Sequence, residues 1–134
     1  MDLLFDGNSM LRPFRPEDAY WLHKELQDPE VARWLLGVPY PYHLEDAIEF
    51  VDEWINNKHP KEYGYVIVRP SLNVSEGLGF ITLKQHKDHP KTFILGYWLA
   101  RREWGNGLAK QALGQFLAGV RQQDRDWETH IHIP

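Results

Sequence analysis

The stretch Leu95-Gly96-Tyr97-Trp98-Leu99-Ala100 is followed directly by Arg101-Arg102-Glu103-Trp104-Gly105-Asn106-Gly107-Leu108-Ala109-Lys110-Gln111-Ala112-Leu113. The first part is apolar and predicts a strand, and the second predicts a glycine-bearing turn that leads into an amphipathic helix. This order places backbone N–H groups at a helix N-terminus, where no helical carbonyl accepts them. Because such groups bind anions, the strand–turn–helix unit predicts a phosphate site.

The composition is that of one globular domain spanning residues 1–134. Apolar residues make up 43% of the chain, with 6 Trp, 6 Tyr and 6 Phe, so a hydrophobic core can form. Charged residues make up 25%, which is close to the globular average. The net charge is −4 and the sequence has no basic stripe, which argues against nucleic acid as the main partner.

The chain has 0 Cys, which excludes disulfides, thiolate metal sites and a cysteine nucleophile. No apolar run is long enough to span a bilayer, so no membrane partner is expected. The first residues, with Asp2 and Asp6, do not resemble a signal peptide. A cytoplasmic protein is the default expectation.

Hydrophobic spacing predicts the element order β, α, α, β, β, β, α, β. The first strand covers residues 10–14, and its Pro13 suits a sheet edge. The first helix begins near Arg15 and buries Ala19, Leu22 and Leu26. The remaining predicted elements are a helix over 44–55 with Leu44, Ala47, Ile48, Val51, Trp54 and Ile55 inward, strands over 63–69, 77–85 and 92–100, a helix with apolar positions from Leu108 to Val120, and a strand over 129–133. The crossover helix makes the last two strands a candidate parallel βαβ unit.

Four stretches resemble the GCN5-related N-acetyltransferase (GNAT) superfamily, most closely its branch that acetylates the N-termini of ribosomal proteins. They are "LRPFRPED", "HLEDAIEFVDEWI", "GLGFITL" and, most specifically, "LGYWLARREWGNGLAKQAL". The resemblance implies the acyl-CoA N-acyltransferase fold, which is an α/β fold with a central, mixed but mostly antiparallel sheet and helices on both faces. It also implies acetyl-CoA as the co-substrate.

The superfamily motif reads Gln or Arg, two residues, Gly, one residue, then Gly or Ala. One register starts at Arg102, and the other starts at Trp104 and continues through Gly107 to Ala109. We prefer the second, because this branch similarly has Trp at the first position after a strand ending in "YWLA". The resemblance then implies that backbone N–H groups in the turn hold the pyrophosphate of acetyl-CoA and that the strand backbone pairs with the pantetheine arm. The implied residues are Gly105, Asn106, Gly107, Leu108, Ala109 and Lys110 for the pyrophosphate, and Tyr97, Trp98 and Leu99 for the arm.

Two parts of the family pattern are missing from the printed sequence. Relatives continue into a further helix and strand, which often supply an Asn near CoA and a Tyr that acts as general acid, so we expect a C-terminally truncated version of the fold. Relatives also often carry a Glu in the strand before the motif, whereas residues 92–95 hold no carboxylate. His86, Asp88 and His89 are the nearest titratable residues in sequence, and loop residues of these types are usually only solvated. We therefore name no catalytic residue.

Three further expectations concern partners. The strand over 129–133 places His130 and His132 on one face, but two ligands do not make a zinc site, so no metal is expected. If the strand is left as an open edge, pairing with a second copy follows, and we expect a homodimer. The resemblance implies an acceptor site near Trp34 and residues 40–42, where the aromatic side chains form either an acceptor wall or a hydrophobic plug.

Three functions from different classes fit the sequence. The first is an N-acetyltransferase that transfers acetyl from acetyl-CoA to a primary amine, on a protein N-terminus or a small molecule. The second is a catalytically impaired CoA-binding module. The third is an interaction domain whose glycine turn binds nothing. Calorimetry with CoA separates the third from the others, and an assay of thiol release separates the first from the second.

Overall fold

In the part of the chain that the structure describes, six strands form one sheet, in the order in which they occur along the sequence. The computed structural model describes residues 3–5, 9–32, 42–69, 77–105, 107–123 and 130–132. The strands are β1 (Leu3–Phe5), β2 (Ser9–Pro13), β3 (Tyr63–Val68), β4 (Gly79–Gln85), β5 (Thr92–Leu99) and β6 (His130–His132). Neighbouring strands are antiparallel except β5 and β6, which are parallel. The predicted mixed, mostly antiparallel sheet and its parallel βαβ unit are confirmed.

The helices cover both faces of this sheet. They are α1 (Asp18–Glu25), α2 (Pro29–Ala32), α3 (Leu44–Ile55) and α4 (Leu108–Gln123), and a 3₁₀ turn at Arg101–Glu103 joins β5 to α4. Because successive strand residues point to opposite faces, Ile67 packs in the core under α4 whereas Val66 and Val68 pack in the core under α1 and α3. No helix in the described ranges is both long and apolar enough to cross a membrane.

The N-terminal strands differ from the sequence prediction. β1, which we did not predict, pairs with β2, so β2 is not an edge strand. The sequence Asp6-Gly7-Asn8 between them is typical of a tight turn and is the signal that was missed. Pro13 is still tolerated, because the pairing with β1 ends at Leu11 and Pro13 lies beyond it.

The predicted inner face of α3 is right except at one position. Ala47, Val51 and Trp54 are buried, but Ile48 is 41% exposed. At about 100° per residue, Ile48 lies at the margin of the stripe that these three residues define. The inner face of α4 is confirmed by the burial of Leu108, Ala112, Phe116 and Val120.

A buried ion pair joins the first strand–helix corner. Arg12 of β2 and Asp18 of α1 are both fully buried, and two guanidinium N–H groups donate to the carboxylate over 2.9 and 2.6 Å. The same carboxylate accepts the backbone N–H of Arg15 and the indole N–H of Trp21, each at 2.7 Å. The charged atoms are thus well supplied with partners, which a charge removed from water requires.

Several predictions concern parts of the chain outside the described residues. These are the expectations for Trp34, for Tyr40, for Asn106, for both ends of the last strand and for the side chains of His130 and His132. β6 does lie at one edge of the described sheet. The homodimer stays a prediction.

Candidate functional site

The site lies where β5 leaves the sheet and α4 begins. Gly105 and Gly107 both have a φ of 81°, a left-handed conformation that glycine adopts without strain. A Cβ atom built on either glycine meets no protein atom within 4 Å, so the space above both residues is open. A ligand can therefore approach the backbone closely at these two positions.

The first turn of α4 directs backbone N–H groups at this open space. The carbonyl of Gly107 accepts the N–H of Gln111 at 3.2 Å, so Gly107 caps the helix and Leu108, Ala109 and Lys110 form its first turn. Leu108 is buried in the core, Ala109 is half-buried and Lys110 is exposed. Helix geometry provides no carbonyl for the N–H groups of Ala109 and Lys110 to bond within the helix.

The charges around α4 favour an anion. The first turns of α1, α2 and α3 all contain acidic residues, whereas the first turn of α4 contains none. The partial positive charge at the start of α4 is therefore not neutralised by a carboxylate of its own helix, and Lys110 adds a full positive charge. A phosphate group is the kind of ligand that such a helix terminus binds.

The outer edge of β5 is open beside this turn. The parallel pairing with β6 covers Thr92, Phe93 and Ile94, and from Gly96 to Leu99 no described strand lies on that side. This open segment is roughly 10 Å long at about 3.3 Å per residue. An extended ligand with amide groups can add to such an edge through main-chain hydrogen bonds.

The ladder between β4 and β5 decides which backbone groups face the open edge. His86 donates its N–H to Thr92 at one end and Ala100 donates its N–H to Leu78 at the other, and the register between them is continuous. Hydrogen-bonded pairs alternate in an antiparallel ladder, so Gly96 and Trp98 direct their N–H and C=O groups at β4. Tyr97 and Leu99 direct theirs at the open edge. We expected the backbone of Trp98 to pair with the pantetheine arm, but its N–H and C=O groups point at β4.

Two aromatic side chains near the open edge are exposed. Tyr97 is 46% exposed and Trp104 is 44% exposed. The indole N–H of Trp104 donates to the carbonyl of Leu99 at 3.0 Å, so this carbonyl already has a partner. The ring of Trp98 is buried and stacks on Trp21, with centroids 5.9 Å apart. The side chain of Trp98 therefore packs in the core under α1 and α3.

Sequence reasoning missed the ion pairs that hold the 3₁₀ turn. Arg101 donates to Asp28 at 3.1 Å, Arg102 donates to Glu25, and Glu103 accepts two bonds from Arg69 at 2.6 and 3.0 Å. The three consecutive charged residues are visible in the sequence, but their partners are distant along the chain and could not be identified from it. The backbone N–H of Glu30 and the guanidinium of Arg101 hold the pKa of Asp28 below its usual value, so this carboxylate is charged at neutral pH.

The titratable candidates from the sequence lie beyond the far end of β5. His86, Asp88 and His89 belong to the connection between β4 and β5, before Thr92, and Thr92 itself is seven residues from Leu99, which is roughly 23 Å along a strand. The Nδ1 atom of His86 accepts the backbone N–H of Asp88 at 3.0 Å. The structure therefore separates these residues from the glycine turn.

Tyr42 is the described member of the aromatic group near the expected acceptor site. Its side chain is buried, and its backbone carbonyl accepts a bond from Gln27 at 2.6 Å. Burial, reinforced by the negative charge of Asp46, raises the pKa of Tyr42 to about 12. The phenol is therefore protonated at neutral pH. Among the described residues, no three acidic or histidine side chains form a group that suits a metal ion.

Comparison with known proteins agrees with this geometry. Residues 9–132 match the family "Acetyltransferase (GNAT) domain". The chain is 25% identical over 119 residues to the uncharacterized N-acetyltransferase p20 of Bacillus licheniformis, and the match covers 87% of this chain and 65% of the relative. The chain thus spans about two thirds of the length of this curated relative.

Solved structures share the fold. An acetyltransferase of the GNAT family from Bacillus anthracis aligns with a TM-score of 0.69 and 17% identity, over 93% of this chain and 69% of that one. RimL, a ribosomal-protein alpha-N-acetyltransferase solved in complex with coenzyme A, aligns with a TM-score of 0.75 and 16% identity, over 92% and 70%. The strand–turn–helix unit, the sheet and the family match lead to one conclusion: this chain belongs to the acetyltransferase (GNAT) family.

Proposed function

We propose that this chain binds acetyl-CoA at the start of α4 and along the open edge of β5, and transfers the acetyl group to a primary amine. The amine belongs to a protein N-terminus or to a small molecule. The observation that carries this proposal is the open β5 segment directly beside a glycine turn with two left-handed residues. Support also comes from RimL, whose structure contains coenzyme A.

The proposed binding mode assigns roles to backbone and side chains. The N–H groups of Gly105, Gly107, Ala109 and Lys110 face the pyrophosphate, and the charge of Lys110 adds to the attraction. Tyr97 pairs with the pantetheine arm through both backbone groups and Leu99 pairs through its N–H, because these groups face the open edge and the carbonyl of Leu99 already accepts the indole of Trp104. Acetyl-CoA, when bound, supplies a thioester carbonyl for attack by a neutral amine.

The alternation along β5 gives this proposal a sharp test. Amide hydrogen exchange of the labelled full chain, followed by NMR with and without CoA, reports each backbone N–H separately. We expect CoA to slow exchange at Tyr97 and Leu99, while Gly96 and Trp98 change little because they already bond to β4. Equal protection at all four positions, or protection at none, would contradict the proposed binding mode.

A second candidate function is a CoA-binding module that does not transfer acetyl. It is favoured by the separation of His86, Asp88 and His89 from the turn and by the lack of a carboxylate at residues 92–95. An assay of thiol release from acetyl-CoA, with a panel of amines and peptides, separates the two. CoA binding without thiol release for any acceptor supports the second candidate.

A further inference from the structure

Three consecutive side chains tie the 3₁₀ turn to distant parts of the fold. Arg101 contacts Asp28, which follows α1, and Arg102 contacts Glu25 near the end of the same helix. Glu103 contacts Arg69, which follows β3. A different partner thus holds each residue of the turn, and together these three ion pairs are called the turn clamp below.

The backbone alone holds this turn weakly. Its local hydrogen bonds run from Glu103 to Ala100 at 2.8 Å and from Trp104 to Arg101 at 3.2 Å. A 3₁₀ segment of this length has poor hydrogen-bond geometry and little intrinsic stability. Gly105 and Gly107 lie just after Trp104, and glycine restricts the backbone less than any other residue. The direction in which the chain enters α4 therefore depends on side-chain contacts of the turn.

The pairs of the turn clamp differ in burial, and this difference predicts their relative importance. The Arg69–Glu103 pair is the most buried, with side-chain exposures of 23% and 8%, and its two bonds form a bidentate contact. The Arg101–Asp28 pair is more open, at 55% and 31%. Exposed pairs stabilise a fold little, because water screens both charges. Loss of an exposed pair should therefore change the position of the turn more than the stability of the whole chain.

We propose that Glu25, Asp28 and Arg69 are positioning residues for the cofactor. They act through Arg102, Arg101 and Glu103, and they hold the turn so that the N–H groups after Gly105 lie in line with the open edge of β5. This inference rests on the proposed function, since it names what orders the same site. If the turn is ordered only part of the time, ligand binding is weaker, because the apparent dissociation constant equals the intrinsic constant divided by the fraction of time that the turn is ordered.

Calorimetric titration of CoA into the full chain tests the turn clamp. Asp28→Asn and Glu25→Gln each remove one charge and keep the size of the side chain. We expect each to raise the dissociation constant of CoA about threefold, because an exposed pair contributes a modest ordering term. Asp28→Glu keeps the carboxylate and should restore most of the affinity.

The chain offers a matched control in the Lys84–Glu53 pair. It is also exposed, with a distance of 2.8 Å and exposures of 46% and 58%, and it joins β4 to α3 without contacting the turn. Glu53→Gln should lower the unfolding temperature about as much as Asp28→Asn does, yet leave CoA affinity unchanged. A thermal scan of each variant provides this comparison, so a loss of affinity can be distinguished from a loss of stability.

The outcomes separate the two proposals. If Asp28→Asn and Glu25→Gln bind CoA as Glu53→Gln does, the positioning role of Glu25 and Asp28 is wrong and the proposed function stands. If either variant binds CoA more tightly, the freed arginine contacts the ligand itself and the positioning role is again wrong. If the wild-type chain binds no CoA, both proposals are overturned.

Discussion

At the scale of single residues, the two glycines of the turn show how much a local pattern can predict. The family resemblance assigned Gly105 and Gly107 to the site, and a phosphate held by backbone N–H groups leaves little room for side chains there. Their φ of 81° gives a second, independent reason for glycine, since other residues are strained there. A side chain at position 107 should therefore lower the stability of the fold, because of the φ angle, and weaken ligand binding, because of the space that it occupies.

The variants Gly107→Ala and Gly114→Ala separate these reasons from the general effect of adding a methyl group. Gly107→Ala should lower the free energy of unfolding by about 1 kcal/mol, because alanine is strained at this φ. Gly114 lies inside α4 with open space around its Cβ position, so Gly114→Ala should raise that free energy by roughly 0.5–1 kcal/mol. Urea unfolding measures both. CoA affinity should fall only for Gly107→Ala, and an equal fall for Gly114→Ala would contradict the assignment of the turn.

The same scale shows what a sequence cannot reveal. Trp98 and Tyr97 are neighbours in an apolar run, and nothing in their residue types tells which one directs its backbone at β4. That choice depends on the pairing of β5 with residues 79–85, which is a contact between distant parts of the chain. The partners of Arg101 and Arg102 were hidden for the same reason. Local chemistry was predictable, whereas pairing across the fold was not.

At the scale of elements, the corner between β2 and α1 is held by charge as well as by apolar packing. Asp18 in the first turn of α1 opposes the helix dipole. Asp18 has a further role, because its carboxylate accepts bonds from Arg12, Arg15 and Trp21. This role could not be predicted, since it depends on the angle at which the chain turns from the strand into the helix.

The variant Asp18→Asn tests the contribution of this corner. It keeps the shape of the side chain but removes the negative charge that pairs with the fully buried Arg12. The free energy of unfolding should fall by about 3–5 kcal/mol, as expected when one partner of a buried pair is removed. Chemical denaturation measures the change. Glu53→Gln, which removes an exposed ion pair, should lower the free energy of unfolding by less than about 1 kcal/mol. A similar decrease for both variants would contradict the conclusion that burial makes the Arg12–Asp18 pair important.

At the scale of the whole molecule, two cores share one sheet. α4 covers one core and α1 and α3 cover the other, and the 3₁₀ turn before α4 is tied to the second group through the turn clamp. The layered arrangement was predictable from the apolar stripes of the helices, because each stripe must be buried against something. The order of strands was predictable only in part, since β1 has only three residues and was not predicted.

Stability of the whole chain should fall at alkaline pH because of Tyr42. Burial raises the pKa of Tyr42 from 10.0 to about 12, so the folded chain keeps this proton at a pH where the unfolded chain loses it. The contribution of Tyr42 is complete below pH 10 and is lost as the pH rises toward about 12. Denaturation series over this range should therefore show a shallower decline for Tyr42→Phe than for wild type. Tyr20→Phe, at a ring that is 65% exposed, controls for loss of a hydroxyl, and identical slopes for all three chains would contradict the assignment.

The continuous register of β4 and β5 has one more consequence. The two strands match residue for residue from Gly79 opposite Leu99 to Gln85 opposite Phe93, with no bulge that could absorb an extra residue. Inserting one amino acid into this stretch of β5 would move every side chain beyond it to the other face of the sheet, and would exchange the backbone groups that bond to β4 with those that face the open edge. Trp98 would then face the core under α4, and Tyr97 would face the core under α1 and α3. Both the packing of the two cores and the backbone groups at the open edge therefore depend on the length of β5. This strand should tolerate substitution far better than insertion or deletion.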